Sequence, residues 1–85
     1  MKRTGARRKK TADGLGFKEI GDLALALGGT VRQGTKHNYI IQLPTQRAVP
    51  LAESTHAQQM LMPYFRQATD YSNREILDAM RRGAW

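Results

Sequence analysis

The sequence contains no cysteine among its 85 residues, which excludes a disulfide framework and a thiolate zinc site. No apolar run approaches the roughly 18 residues that a membrane helix needs, and no hydrophobic stretch follows the basic N-terminus as in a secretory signal. Apolar residues make up 40% of the chain, enough for one modest core but not for a deep cofactor pocket. These features predict a single-domain cytoplasmic protein that works without a cofactor.

Acidic residues are scarce, with 7 against 14 lysines and arginines, and the charge is unevenly distributed. Residues 1–10 hold six basic side chains and no acidic one. A short basic segment with so little apolar surface cannot bury a core, so residues 1–14 are predicted to be a flexible basic arm. Such an arm attracts phosphate by counterion release, with Lys9 and Lys10 as candidate contacts. A solubilising tail is the alternative interpretation.

A second stretch, from Gly28 to Ala52, contains no acidic residue but does contain Arg32, Lys36 and Arg47. A polyanion can approach such a stretch without electrostatic repulsion. Together with the arm, the stretch predicts a nucleic acid as the partner, with RNA favoured. A protein-interaction subunit that docks a partner strand on an open sheet edge is a competing interpretation.

Hydrophobic periodicity predicts a helix over residues 17–27, which the glycines at 28 and 29 end. Three β-prone runs joined by tight turns then predict an antiparallel meander, and Pro50 predicts that the last strand either lies at an edge of the sheet or ends there. Alternation in the second strand places His37 on the same face as Tyr39. Because the apolar residue Ile40 lies on the opposite face, alternation alone does not decide which face meets the core. The three strands are predicted over residues 30–33, 37–43 and 48–51.

Two further helices follow the strands. The first has Pro63 inside its apolar pattern, so it either begins near Met60 or begins earlier and kinks. Ser72 and Glu75 form an S-x-x-E capping box, which predicts a helix over residues 73–82. Helices on one face of the sheet, with the other face open, are the expected packing, so residues 15–85 are predicted to form one α+β domain.

This order of elements resembles that of the HicA-type toxins, whose α-β-β-β-α core is similar to a double-stranded RNA-binding domain. The turn at residues 34–37 resembles the family's Gly-Ser-x-His or Gly-Ser-His turn, and residues 47–50 resemble its third strand, which usually ends in Val-Pro. Residues 65–68 resemble its Leu-Lys-Gln-Ala helix, and residues 72–76 the Ser-x-x-Glu-Phe start of an extra C-terminal helix. In this chain the four stretches read Gly34-Thr35-Lys36-His37, Arg47-Ala48-Val49-Pro50, Phe65-Arg66-Gln67-Ala68 and Ser72-Asn73-Arg74-Glu75-Ile76.

The resemblance implies a metal-independent ribonuclease that cleaves mRNA and is neutralised by a HicB-type antitoxin. It implies that His37 is the catalytic residue, although the family's histidine commonly stands two residues after the turn glycine, where this chain has Lys36. The candidate RNA contacts are Arg32, Lys36 and Arg47. His56 is a candidate for the general acid that complements His37 in a mechanism with two histidines. The alternative is a non-catalytic nucleic-acid-binding module with the same fold, in which His37 only bonds a turn.

Overall fold

The computed structural model describes residues 9–33 and 39–85 of the chain. These residues form an α+β fold, as predicted, and α1, β1, β3 and α3 begin at the predicted residues. None of the described helices is long and apolar enough to cross a membrane. In chain order the elements are α1 (Phe17–Ala26), β1 (Thr30–Arg32), β2 (Tyr39–Gln42), β3 (Ala48–Leu51), α2 (Ala57–Arg66) and α3 (Asn73–Arg82).

The three strands form one antiparallel sheet in the order β1-β2-β3. Arg32 in β1 pairs with Ile40 in β2, and Ile40 pairs with Pro50 in β3. Pro50 therefore lies in an edge strand, where its missing N–H removes no hydrogen bond from the centre of the sheet.

The two faces of this sheet differ in exposure. Ile41 in β2 and its partner Val49 in β3 are buried, so the odd-numbered residues of β2 face the core. The core face of β2, which the sequence did not decide, is therefore the face of Ile41, and Ile40 lies on the opposite face. No described residue of that second face is buried; we call it the uncovered face, and it comprises Thr30, Arg32, Ile40, Gln42, Ala48 and Pro50.

One hydrophobic core joins the helices to the buried face of the sheet. α1 packs against α3, β1 and β2, and α2 packs against α3. The helices therefore form a layer on one face only, as a two-layer domain requires. The largest fully buried side chains are Phe65, Ile20, Leu23, Ile41, Leu43, Leu51, Leu61, Ile76 and Met80.

Gly21 lies in the middle of α1, where a glycine ordinarily costs about 1 kcal/mol relative to alanine. A Cβ at this position would lie 2.7 Å from the ring of Tyr39. The same ring lies 5.9 Å from that of Phe17, measured between centroids. The missing side chain of Gly21 therefore lets Tyr39 lie directly against α1.

α2 begins at Ala57 and runs through Pro63 to Arg66, so the earlier of the two predicted starts is correct. Pro63 has no N–H to bond to the carbonyl of Gln59 four residues before it. The helix tolerates this loss because Leu61 and Phe65, on either side of the proline, are both fully buried in the core.

The first turn of α2 is capped by a residue from far away in the chain. Its N-cap residue, His56, makes no side-chain cap bond. Instead Asp13 accepts hydrogen bonds from the backbone N–H groups of Ala57 at 3.1 Å and Gln58 at 2.8 Å. Thr11 Oγ1 donates to the same carboxylate at 2.6 Å. Burial raises the pKa of Asp13, but these hydrogen bonds outweigh burial and hold the pKa below its usual 3.8.

We expect Asp13→Ala to lower the free energy of unfolding by about 1–2 kcal/mol, the usual cost of losing a helix cap. Because folding lowers the pKa of Asp13, its charged form contributes stability above pH 3.8, and this contribution is lost as the pH falls through the lowered pKa. Thermal unfolding of the wild type and the variant between neutral and acidic pH measures both effects. The matched control is Asp70→Ala, which removes an exposed carboxylate; an equal loss in the control would contradict the capping role.

α3 has the predicted capping box. Glu75 N donates to Ser72 Oγ at 3.2 Å, and Ser72 N donates to Glu75 Oε1 at 2.9 Å. Hydrogen bonds to the Glu75 carboxylate, from the Ser72 backbone N–H first and from the Ser72 side chain second, lower the pKa of Glu75. Gly83 ends the helix in the left-handed conformation, with φ of 77°, as predicted for a glycine stop.

Trp85, for which the sequence predicts no role, lies against the helices. Its ring stacks on Tyr71 with a centroid distance of 5.2 Å and meets Phe65 edge to face at 5.6 Å. Its indole N–H donates to the carbonyl of Leu23 in α1 at 3.2 Å. The residue thus connects α1 to α2 and to the loop that precedes α3.

Candidate nucleic-acid interface

Two of the predicted site residues, Lys36 and His37, fall in the stretch 34–38, which lies outside the described residues. Their proposed roles therefore stay predictions. The structure places the other four predicted RNA contacts, Lys9, Lys10, Arg32 and Arg47, and all four are exposed.

Arg32 is the last residue of β1 and belongs to the uncovered face. At this end of the sheet β2 begins with Tyr39, which pairs with Leu51 at the end of β3. We call it the Arg32 end of the sheet. The chain leaves β1 here, shortly before the stretch 34–38 that contains the predicted catalytic histidine.

Backbone hydrogen bonds attach the basic pair Lys9 and Lys10 to the domain. The N–H of Phe17 donates to the carbonyl of Lys9 at 3.0 Å, and the N–H of Ala12 donates to the carbonyl of Thr55 at 2.8 Å. The last residues of the predicted arm, 9 to 14, thus contact the folded part. Residues 1–8 lie outside the described part of the chain.

A series of contacts joins this basic pair to the Arg32 end of the sheet. Phe17, whose N–H binds Lys9, also contacts the ring of Tyr39. Tyr39 precedes Ile40, which is the partner of Arg32 in the sheet. Lys9 and Arg32, far apart in the sequence, therefore belong to the same end of the molecule.

Tyr39 is one of the residues through which these contacts connect Lys9 to Arg32. Its burial raises the pKa of its phenol, and the carboxylate of Asp22 raises the pKa further. The phenol is neutral at physiological pH, as it would be without this shift, and the carboxylates of Asp22 and Glu19 lie close enough to act on it.

Arg47 occupies the opposite end of the sheet, immediately before β3. The structure therefore does not bring Arg47 and Arg32 into one pocket. The main chain at Arg47 is bound by Tyr64. The Tyr64 hydroxyl donates to the Arg47 carbonyl at 2.7 Å and accepts from the N–H of Leu43 at 2.9 Å.

This bridge was not predicted from the sequence, because Tyr64 lies 21 and 17 residues from its two partners. Tyr64 and Phe65 belong to an apolar stripe at helical spacing, which predicts core packing for both rings, with base stacking as the alternative. Both rings are buried, so core packing is confirmed.

His56, the second histidine, is exposed at the start of α2. It follows Thr55, the residue whose carbonyl binds Ala12, so it lies beside the segment that carries Lys9 and Lys10. Within residues 9–33 and 39–85, no group of three or more histidine, cysteine, aspartate or glutamate side chains could hold a metal ion.

Comparisons with protein-family models, curated proteins and solved structures give no match to this chain. The resemblance to HicA-type toxins therefore rests on the order of the elements and on the four sequence stretches.

Proposed function

We propose that this protein binds RNA and cleaves it without a metal ion, as the toxin of a type II toxin–antitoxin pair. The cleaving residue in this proposal is His37, and the partner that neutralises the protein is a HicB-type antitoxin. The substrate is cytoplasmic mRNA, so the protein acts in the cytoplasm.

The observation that carries the RNA-binding part is the Arg32 end of the sheet. There, Arg32 stands on an uncovered face that has no acidic side chain, and the segment with Lys9 and Lys10 is fastened to the same end. Phosphate contacts of this kind account for most sequence-independent affinity for nucleic acid.

The order α1-β1-β2-β3-α2 supports a domain arrangement similar to that of double-stranded RNA-binding domains, with α3 as the extra helix. Such domains recognise RNA by shape and by contacts to phosphates and 2′-hydroxyls, with little dependence on sequence. An exposed arginine on an uncovered sheet face suits this mode better than a deep pocket would.

We expect the affinity for RNA to fall by orders of magnitude between about 50 and 200 mM salt if six or more phosphates are contacted. Arg32→Ala should make the slope of log K against log salt shallower by about 1, since it removes one phosphate contact. Fluorescence anisotropy with a labelled RNA measures the slope. Lys9→Ala and Lys10→Ala should act in the same way.

Arg66→Ala is the matched control, because Arg66 is an exposed arginine on the helix layer. Its slope should equal that of the wild type. An affinity that does not change with salt, or a slope that the control alters as much as Arg32→Ala does, would overturn the proposed interface.

A further inference from the structure

α2 and α3 line a shallow, open groove of about 860 Å³ on the helix layer, away from the uncovered face of the sheet. Its apolar part consists of Met62 and Leu77, which pack against the core, and the exposed Pro63. Amide and guanidinium side chains surround this apolar part. They are Gln58, Gln59, Gln67, Asn73, Arg66 and Arg74.

The groove is positively charged, because its lining includes two arginines and no carboxylate. Arg66 donates to the amide oxygen of Asn73 at 3.2 Å, a bond that orients the guanidinium without neutralising it. In the described part of the chain no ion pair joins Arg66 or Arg74 to a carboxylate.

Charged residues of α3 line two different hollows. Arg74 and Leu77 face the groove, whereas the acidic residues Glu75 and Asp78 line a different hollow, together with Trp85. The lining of the groove therefore combines three apolar residues with two cationic ones and includes no acidic side chain.

We infer that the α2–α3 groove binds an acidic amphipathic helix from a protein partner. An apolar helix stripe laid into a groove between two helices is a recurring mode of peptide recognition, and methionine and arginine are enriched in such interfaces. Acidic side chains beside that stripe complement Arg66 and Arg74. The apolar part of the groove, which consists of Met62, Pro63 and Leu77, favours a peptide over an RNA backbone, because an RNA backbone has no apolar stripe to bury.

This site is separate from the proposed RNA interface, so the inference does not depend on RNA cleavage. The test starts from a displayed library of random peptides about four helical turns long, selected on the purified full chain. Selected peptides should carry apolar residues at positions i, i+3 or i+4 and i+7, with aspartate or glutamate beside them. Their affinities are then measured by fluorescence anisotropy.

Arg66→Glu and Arg74→Glu should each weaken the selected peptides by about tenfold or more, since charge reversal turns attraction into repulsion in a close pair. Both arginines are exposed, so circular dichroism and thermal unfolding should show folded variants. Arg32→Glu, the same charge change on the uncovered face, is the matched control and should leave affinity within about twofold. Peptides whose glutamates are replaced by lysine should prefer the two variants to the wild type.

Three outcomes would overturn the inference. The first is a selection that enriches no peptides with an acidic amphipathic pattern. The second is a set of selected peptides that bind Arg66→Glu and Arg74→Glu as tightly as they bind the wild type. The third is a short single-stranded RNA whose binding is lost in these two variants but kept in Arg32→Glu, because the groove would then be a nucleic-acid site.

Discussion

Replacing His37 with alanine is expected to lower the rate of RNA cleavage in excess EDTA by about 10²–10⁴-fold, the contribution typical of one general acid or base. RNA supplies its own nucleophile, the 2′-hydroxyl, so the protein has only to move protons and stabilise charge on the phosphate. Histidine is suited to the first task because its ordinary pKa lies near neutrality. Purified wild type and variant, incubated with the same labelled RNA, give the two rates directly.

The affinity for RNA should change little in His37→Ala, since the proposed phosphate contacts are made by other residues. His56→Ala is the matched control, because it removes an exposed histidine at the start of α2. It should retain most of the cleavage. A loss as large as that in His37→Ala would indicate a mechanism with two histidines.

Two results would contradict the toxin proposal. If the wild type leaves RNA intact in EDTA but binds it in a salt-sensitive way, the protein is a non-catalytic binding module. If His37→Ala cleaves as fast as the wild type, His37 is not the catalytic residue.

Gly29→Ala is expected to lower the free energy of unfolding by about 1–3 kcal/mol, the usual cost of forcing extra volume into a packed site. A Cβ at Gly29 would collide with the backbone carbonyl of Gln42 in β2 and lie 2.9 Å from the carbonyl of Ala24 in α1. Backbone atoms cannot move aside as the end of a flexible side chain can, so β2 and the end of α1 would have to separate.

In a domain of this size each kcal/mol lowers the melting temperature by about 4–8 °C, so thermal unfolding followed by circular dichroism resolves the effect. Gly28→Asn is the matched control. Gly28 has φ of 86°, a conformation that strains any side chain but that asparagine adopts more readily than most residues, and its Cβ would meet only Pro44 at 3.8 Å, so the loss of stability should be smaller than in Gly29→Ala. A Gly29→Ala protein as stable as the wild type would show that the strand and helix do not approach this closely.

Elements specified by neighbouring residues were predictable from the sequence. The Ser72–Glu75 capping box and the stop at Gly83 involve bonds between residues three or four positions apart, and α3 has the predicted bounds. The strand of Pro50 was likewise predicted to be an edge strand or to end at the proline, because a missing N–H has the same consequence in any sheet.

The candidate site was only partly predictable, because its arrangement depends on contacts between residues far apart in the sequence. The exposure of Arg32 and Arg47 agrees with the sequence, but alternation of β2 alone did not decide which of its faces meets the core. Burial of Ile41 against the helices decided it, since that depends on which residues the helices cover. The separation of Arg32 from Arg47 also follows from strand order and register rather than from sequence spacing.

The sequence by itself thus determined the α+β class, the order of the elements, the caps of α3 and the excess of cations on the chain. Only the tertiary structure decided that Asp13 caps α2 from 44 residues away, that Lys9 is fastened near the Arg32 end, and that a groove without acidic residues forms between α2 and α3. The physical reason is the distance along the chain over which each kind of interaction acts. Helix periodicity and capping act over a few residues, whereas these contacts exist only once distant segments have packed on a common core.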